Sequence, residues 1–152
     1  MTELRFADNV QYVYADNQLA TGFLALPENP SEELLPAMVV IQEIWGLNED
    51  IRSIAREFAG HGYATFAPDL YHGSQSLDFE EARKFSDAMQ MDAAELELDM
   101  AVRYLRSLQD VDKRFAGIIG FCLGGSLAMR MAIRATMPAT LEVSAVAVFY
   151  GG

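Results

Sequence analysis

The stretch Phe115-Ala116-Gly117-Ile118-Ile119-Gly120-Phe121-Cys122-Leu123-Gly124-Gly125 decides the fold. Its first half is a continuous apolar run, the pattern of a parallel strand buried on both faces. Its second half opens a helical pattern that runs to about residue 135 and stops before Pro138. At the junction, Gly120, Cys122 and Gly124 make a G-x-nucleophile-x-G turn with sulfur in place of the usual serine oxygen. Such a turn reverses so tightly that the residues two before and two after the nucleophile face each other. Only very small side chains fit there. Cys122 then stands at a helix N-terminus, where the positive end of the dipole favours a thiolate. The backbone N–H of Leu123 points into the same space and can donate to an oxyanion. The turn lacks the G-x-G-x-x-G spacing of a dinucleotide site and the Gly-Lys-Ser/Thr of a P-loop. A buried structural cysteine in a tight strand-to-helix turn is the plainer alternative.

The same kind of apolar run recurs at residues 37–41, 64–67 and 143–150. Helical patterns separate these runs. Asn48 is placed to cap a helix reaching about residue 58, with Ile51, Ile54, Ala55 and Phe58 on one face and Gly60 and Gly62 ending it. A longer helical region spans about 79–108, with Leu96, Met100, Val102 and Leu105 toward the core and acidic residues at its exposed positions. Near the N-terminus, residues 10–14 and 19–26 alternate in polarity and suit a hairpin turning at Ala15-Asp16-Asn17. A polar loop, residues 27–36, follows. An antiparallel hairpin followed by repeated β-α-β units predicts an α/β fold with a doubly wound, mostly parallel sheet and right-handed crossovers. Ligands of such sheets sit outside the carboxyl ends of the strands. Function is therefore expected at residues 42–48, 68–73, 121–125 and 150–152.

Bulk composition narrows the function classes. A chain of 152 residues, 51% hydrophobic and 22% charged, fits a single globular domain over 1–152. With 11 basic and 22 acidic residues the net charge is −11, which opposes binding to nucleic acid. The N-terminal residues carry charges where a signal peptide needs an apolar core, and no apolar run is long enough to span a membrane. One cysteine forms no internal disulfide, so a reducing, cytoplasmic setting is expected. Two separated histidines and that cysteine give no metal-ligand cluster, and acyl transfer to water needs no organic cofactor.

The residues around the turn resemble the dienelactone hydrolase family. Val40-Ile41-Gln42-Glu43-Ile44-Trp45-Gly46-Leu47-Asn48 is similar to its strand-end motif, and Ala67-Pro68-Asp69-Leu70-Tyr71 to its next strand and loop. Gly120-Phe121-Cys122-Leu123-Gly124-Gly125 resembles its nucleophile motif, cysteine included, and Ala147-Val148-Phe149-Tyr150-Gly151-Gly152 the strand after the nucleophile helix. The resemblance implies an α/β-hydrolase-type sheet and hydrolysis of carboxylic esters or lactones through an acyl-enzyme on Cys122. It implies an oxyanion hole from the backbone N–H groups of Ile44 and Leu123, and control of the thiol proton by Glu43. A negative charge beside the sulfur would keep the thiol neutral until the acid is displaced. Trp45 and Arg83 are the substrate-binding residues implied; Trp45 is equally readable as core, and Lys84 lies beside Arg83. The partner implied is a small-molecule ester or lactone.

An elbow cysteine needs a histidine base and an acid to orient it, and in this fold both follow the nucleophile in the chain. After Cys122 the sequence has no Asp and no His, and Glu142 is its only acid. His61 reads as part of a helix-ending turn. His72 lies on the ligand-binding side of the sheet, and a substitute-base role for it is the lesser reading. The expectation is a domain incomplete at its C-terminal side, ending after the strand that follows the nucleophile helix. Such a chain would show weak stability, negligible hydrolysis and self-association through an exposed sheet edge. Two other classes stay open: a catalytically dead α/β-hydrolase domain that binds a ligand or partner, and a thiol sensor using Cys122 alone.

Overall fold

The computed structural model describes residues 3–28, 33–136 and 143–152. Pro138, Glu142 and the middle of the 27–36 loop lie outside the described residues. In chain order the elements are strands β1 (Leu4–Val13), β2 (Leu19–Pro27) and β3 (Leu35–Ile41), helix α1 (Glu49–Gly60), strand β4 (Ala64–Pro68), helices α2 (Phe79–Ala88) and α3 (Met91–Ser107), strand β5 (Val111–Phe121), helix α4 (Leu123–Ala135) and strand β6 (Ala145–Phe149). They build one six-stranded sheet in the order β1-β2-β4-β3-β5-β6. The hairpin β1/β2 and the β2/β4 pair are antiparallel, and β4, β3, β5 and β6 run parallel.

The continuous apolar runs are explained by burial on both faces. Val39, Ile41 and Ile118 point into the core beneath α3 and α4, while Val40 and Ile119 point into the core beneath α1. Neighbouring residues of one strand therefore serve opposite layers, which explains why the runs are continuously apolar. Helix α1 begins where expected, with the Asn48 side chain accepting from Ile51 N–H at 3.1 Å. Removing that cap by Asn48→Ala is expected to cost about 1 kcal/mol and to lower the Tm by about 2–4 °C. Thermal unfolding of the two proteins checks this, and an unchanged Tm would show that the helix start is held by packing instead.

The structure corrects several boundaries. β1 begins at Leu4 rather than residue 10, bent by a register shift between Ala7 and Val10 where Asn9 takes φ +54°. β5 begins at Val111 rather than Phe115. The helical region expected as one piece is two helices, broken at Met89 and Gln90, both extended. No Gly or Pro marks the break; it lets Met89 and Met91 pack against the core beneath α3. Val102 and Leu105 are buried as expected, whereas Leu96 is 50% exposed.

The acids of α3 are not all outside. Glu95 and Glu97 are 6% and 3% exposed. Buried charge persists only where it is paired, and both are. Arg130 and Arg134 of α4 reach Glu95, the latter at 3.2 Å. Glu97 accepts from the Tyr12 hydroxyl at 3.1 Å and lies 3.4 Å from His72 Nε2. Strand β6 forms one edge of the sheet, with Val148 37% and Phe149 46% exposed. No helix among the described residues is long and apolar enough to cross a membrane.

Candidate active site

At the end of β5 the chain turns into α4 through Cys122, whose backbone has φ +53° and ψ −117°. That combination is strained for any residue with a Cβ, and it persists only where the surroundings hold it. Three contacts hold it here. Cys122 N–H donates to the Phe149 carbonyl at 3.0 Å, and the Cys122 carbonyl accepts from Ser126 N–H at 3.1 Å. The third is a pair of close backbone approaches. A Cβ on Gly120 would lie 1.9 Å from the Gly124 carbonyl oxygen, and one on Gly124 would lie 2.5 Å from the carbonyl oxygen of Gln42. The elbow geometry read from the glycine spacing is thus the geometry observed.

The strand-end loops converge on this turn. Glu43 and Gly46 form an isolated antiparallel bridge around Ile44 and Trp45, and Gly46 takes φ +90° while pressed against the Ser74 carbonyl. Leu123 is the first residue of α4, so its N–H has no place in the helical ladder. Gln42 is wholly buried and its Oε1 accepts from Leu70 N–H at 3.1 Å, tying the end of β3 to the loop after β4. In that loop Asp69 accepts from Tyr71 N–H at 3.2 Å and from Gly73 N–H at 2.7 Å, closing a tight turn in which His72 has φ +50°.

Two tyrosines flank Cys122, and neither was singled out from the sequence. Tyr71 is buried, and its hydroxyl has no hydrogen-bond partner of normal geometry among the described residues. Burial pushes this phenol up to about 12; the nearby Ser86 hydroxyl opposes the rise and the charge of Cys122 adds to it. Tyr150 is exposed and donates its hydroxyl to Glu43 Oε1 at 3.0 Å. That hydrogen bond is the main cause that holds the Tyr150 phenol above its ordinary value, with the charges of Glu43 and Cys122 contributing. Tyr150 thus binds the carboxylate and feels the charge of the sulfur. Its signal in the sequence was its place immediately after β6, at the carboxyl end of a strand. Asp69 was legible as the residue after the proline of a Pro-Asp-x-x-x-Gly turn.

Other candidates stand apart. Trp45 packs its ring on Phe79 with centroids 6.2 Å apart and faces a shallow cavity with Gln75, Ser76 and Leu77. Arg83 is 61% exposed and pairs with Asp87 one turn along α2, at 3.6 Å. His61 caps the C-terminal end of α1 near Glu57, at 3.7 Å. His72 stacks on Tyr14 and contacts the buried Glu97 at the wall of a cavity of about 310 Å³, which Tyr71 and Phe85 also line.

The comparisons with known proteins bear on the family and the fold. The carboxymethylenebutenolidase of Pseudomonas putida is 35% identical over 121 residues, covering 74% of this chain and 51% of that protein. The same values hold for the carboxymethylenebutenolidase of Pseudomonas knackmussii. The chain thus spans about half the length of these curated relatives. Among solved structures, one named m3DLH superposes with a TM-score of 0.82 at 29% identity, covering 98% of this chain and 60% of its own. A dienelactone hydrolase-like promiscuous phosphotriesterase from metagenomic libraries superposes equally well at 25% identity, with the same coverage. The profile of the dienelactone hydrolase family matches residues 20–152, from the first residues of β2 through the elbow and β6, and the chain belongs to that family.

Proposed function

We propose that this chain carries the nucleophile of a hydrolase of carboxylic esters or lactones, with Cys122 as the attacking group. The observation that carries the reading is the strained backbone of Cys122 at a strand-to-helix junction whose glycines leave no room for a side chain. In this reading the Cys122 thiolate adds to the carbonyl carbon, and the oxyanion accepts from the N–H groups of Leu123 and Ile44. Collapse of the tetrahedral intermediate breaks the carbon–oxygen bond, and the alkoxide leaves with a proton. Water then cleaves the thioester and restores the thiol. Glu43, held by Tyr150, opposes ionisation of the sulfur before substrate arrives.

Residues 123–152 contain neither Asp nor His, so the 152 residues alone are expected to acylate without efficient turnover. Further proposals are that 1–152 is a single domain and that its setting is reducing, where one free thiol is preserved. The exposed edge of β6 supports self-association at high concentration.

The test is incubation with p-nitrophenyl acetate, followed by mass spectrometry of the intact chain and its peptides. One acetyl group on Cys122, absent in Cys122→Ala, is the expected result. A folded chain that stays unmodified, or is modified equally in Cys122→Ala, sinks the nucleophile assignment. It would favour the reading as a ligand-binding α/β-hydrolase domain.

A further inference from the structure

A cavity lies beside Tyr71, and nothing in the mechanism above uses it. It measures about 310 Å³ and lies between the loop after β4, the end of α2 and the start of α3. That is about twice the ~150 Å³ that holds a benzene molecule in an apolar engineered cavity. Leu70, Tyr71, Phe85, Met89 and Ala94 make its walls apolar. Tyr71 belongs to both places: its ring packs on Phe85, at 5.7 Å between centroids, and its phenol, raised chiefly by burial, also feels the charge of Cys122. A group lodged in the cavity therefore lies against the residue that borders the sulfur.

The charge of the cavity is the informative part. No Lys or Arg is among the described residues that line it. Arg83, the nearest candidate on α2, is turned outward to Asp87. The charged or titratable groups that do face it are Glu97 and His72, with Tyr14 stacked on the imidazole. Glu97 is buried and already accepts from Tyr12; burial raises both Glu97 and Tyr12, and Asp69 adds to each rise. Any positive charge on His72 is directed at Glu97 rather than at an incoming ligand. A carboxylate entering this space would lose water, find no Lys or Arg among the described residues that line it and meet the buried Glu97 carboxyl.

We infer that the cavity receives an uncharged apolar group, phenyl or short alkyl, and excludes carboxylates. On the hydrolase reading, upon which this substrate assignment rests, that group is the acyl or alcohol part of a neutral ester or lactone. The chain then selects against esters that carry a free carboxylate near the scissile bond.

Two measurements on the 152-residue chain test this separately from the nucleophile. The first is binding of the near-isosteric pair phenylacetamide and phenylacetate at pH 7.5, followed by NMR shifts of the Met89, Ala93 and Ala94 methyl groups. The amide is expected to shift them with a Kd at least about tenfold lower than that of the acid. In Ala93→Lys, an exposed position on α3 at the cavity wall, phenylacetate binding is expected to strengthen by about tenfold or more. Equal binding of the pair, tighter binding of the acid, or no shift of these methyls overturns the inference. The second is the acylation rate of Cys122 by p-nitrophenyl butyrate against mono-p-nitrophenyl succinate, expected to favour the neutral ester by at least about tenfold. A rate ratio near one overturns the substrate assignment. Absence of acylation by both esters, with the amide preference intact, overturns the hydrolase reading while the cavity's preference for uncharged groups stands.

Discussion

Gly120→Ala is expected to leave little native protein. The added methyl would sit 1.9 Å from the Gly124 carbonyl oxygen and 2.3 Å from its carbon, both backbone atoms of the first turn of α4. No side chain can swing aside to relieve the clash. Either β5 and α4 separate or Cys122 abandons its φ of +53°, and each outcome breaks contacts that the turn depends on. Gly124 is wedged against the carbonyls of Ile41 and Gln42, so α4 cannot simply retreat along the sheet. The expected loss exceeds about 4 kcal/mol, a large part of the about 5–15 kcal/mol that holds a domain together. In thermal unfolding this is a fall in Tm of more than about 8 °C, or failure to recover soluble protein. Gly60→Ala is the matched control: its Cβ would meet nothing within 4 Å and it ends a helix at ordinary φ, so a gain of about 0.5–1 kcal/mol is expected. A Gly120→Ala chain that melts within about 2 °C of the parent would show that the elbow is far softer than its close contacts indicate.

That glycine was legible because its reason is local. A strand, a reversal and a helix compressed into a few residues leave one solution for the backbone, and Gly120-x-Cys122-x-Gly124 writes it directly. The same holds for Asn48, whose capping role needs only the next turn of helix. The hairpin and the parallel strands were legible as elements because alternation and continuous apolar runs report how many faces are buried. What escaped depends on residues distant in the chain. Glu97 reads as a solvated helix acid until Tyr12, 85 residues earlier, is brought onto it. Tyr150 reads as the end of a strand until the sheet order sets it beside Glu43, 107 residues away. The break at Met89–Gln90 has no Gly or Pro because packing of the methionines, not backbone chemistry, creates it. Arg83 was read from its place in the helical region, and the helix face it occupies turns it to Asp87.

Glu43→Gln is expected to make Cys122 more reactive at neutral pH and less reactive at high pH. The carboxylate is anchored by Tyr150, and the Tyr150 phenol feels the charges of Glu43 and Cys122 together, so the amide removes a like charge from the thiolate's surroundings. A negative charge near a thiolate disfavours it, so removing that charge enlarges the thiolate population at neutral pH. A less basic thiolate is also intrinsically less nucleophilic, which offsets part of that gain. The net expectation is alkylation by iodoacetamide that is about three to four times faster at pH 7. At high pH each protein is fully thiolate, the population gain vanishes, and the variant is slower. The two rate–pH curves must therefore cross. Tyr150→Phe supplies the complementary case, because it frees Glu43 without changing its charge; alkylation at pH 7 is expected to slow if the released carboxylate moves onto the sulfur. Curves for parent and Glu43→Gln that coincide at every pH would mean that Glu43 acts through hydrogen bonding to Tyr150 alone, and its place in control of the thiol proton would be lost.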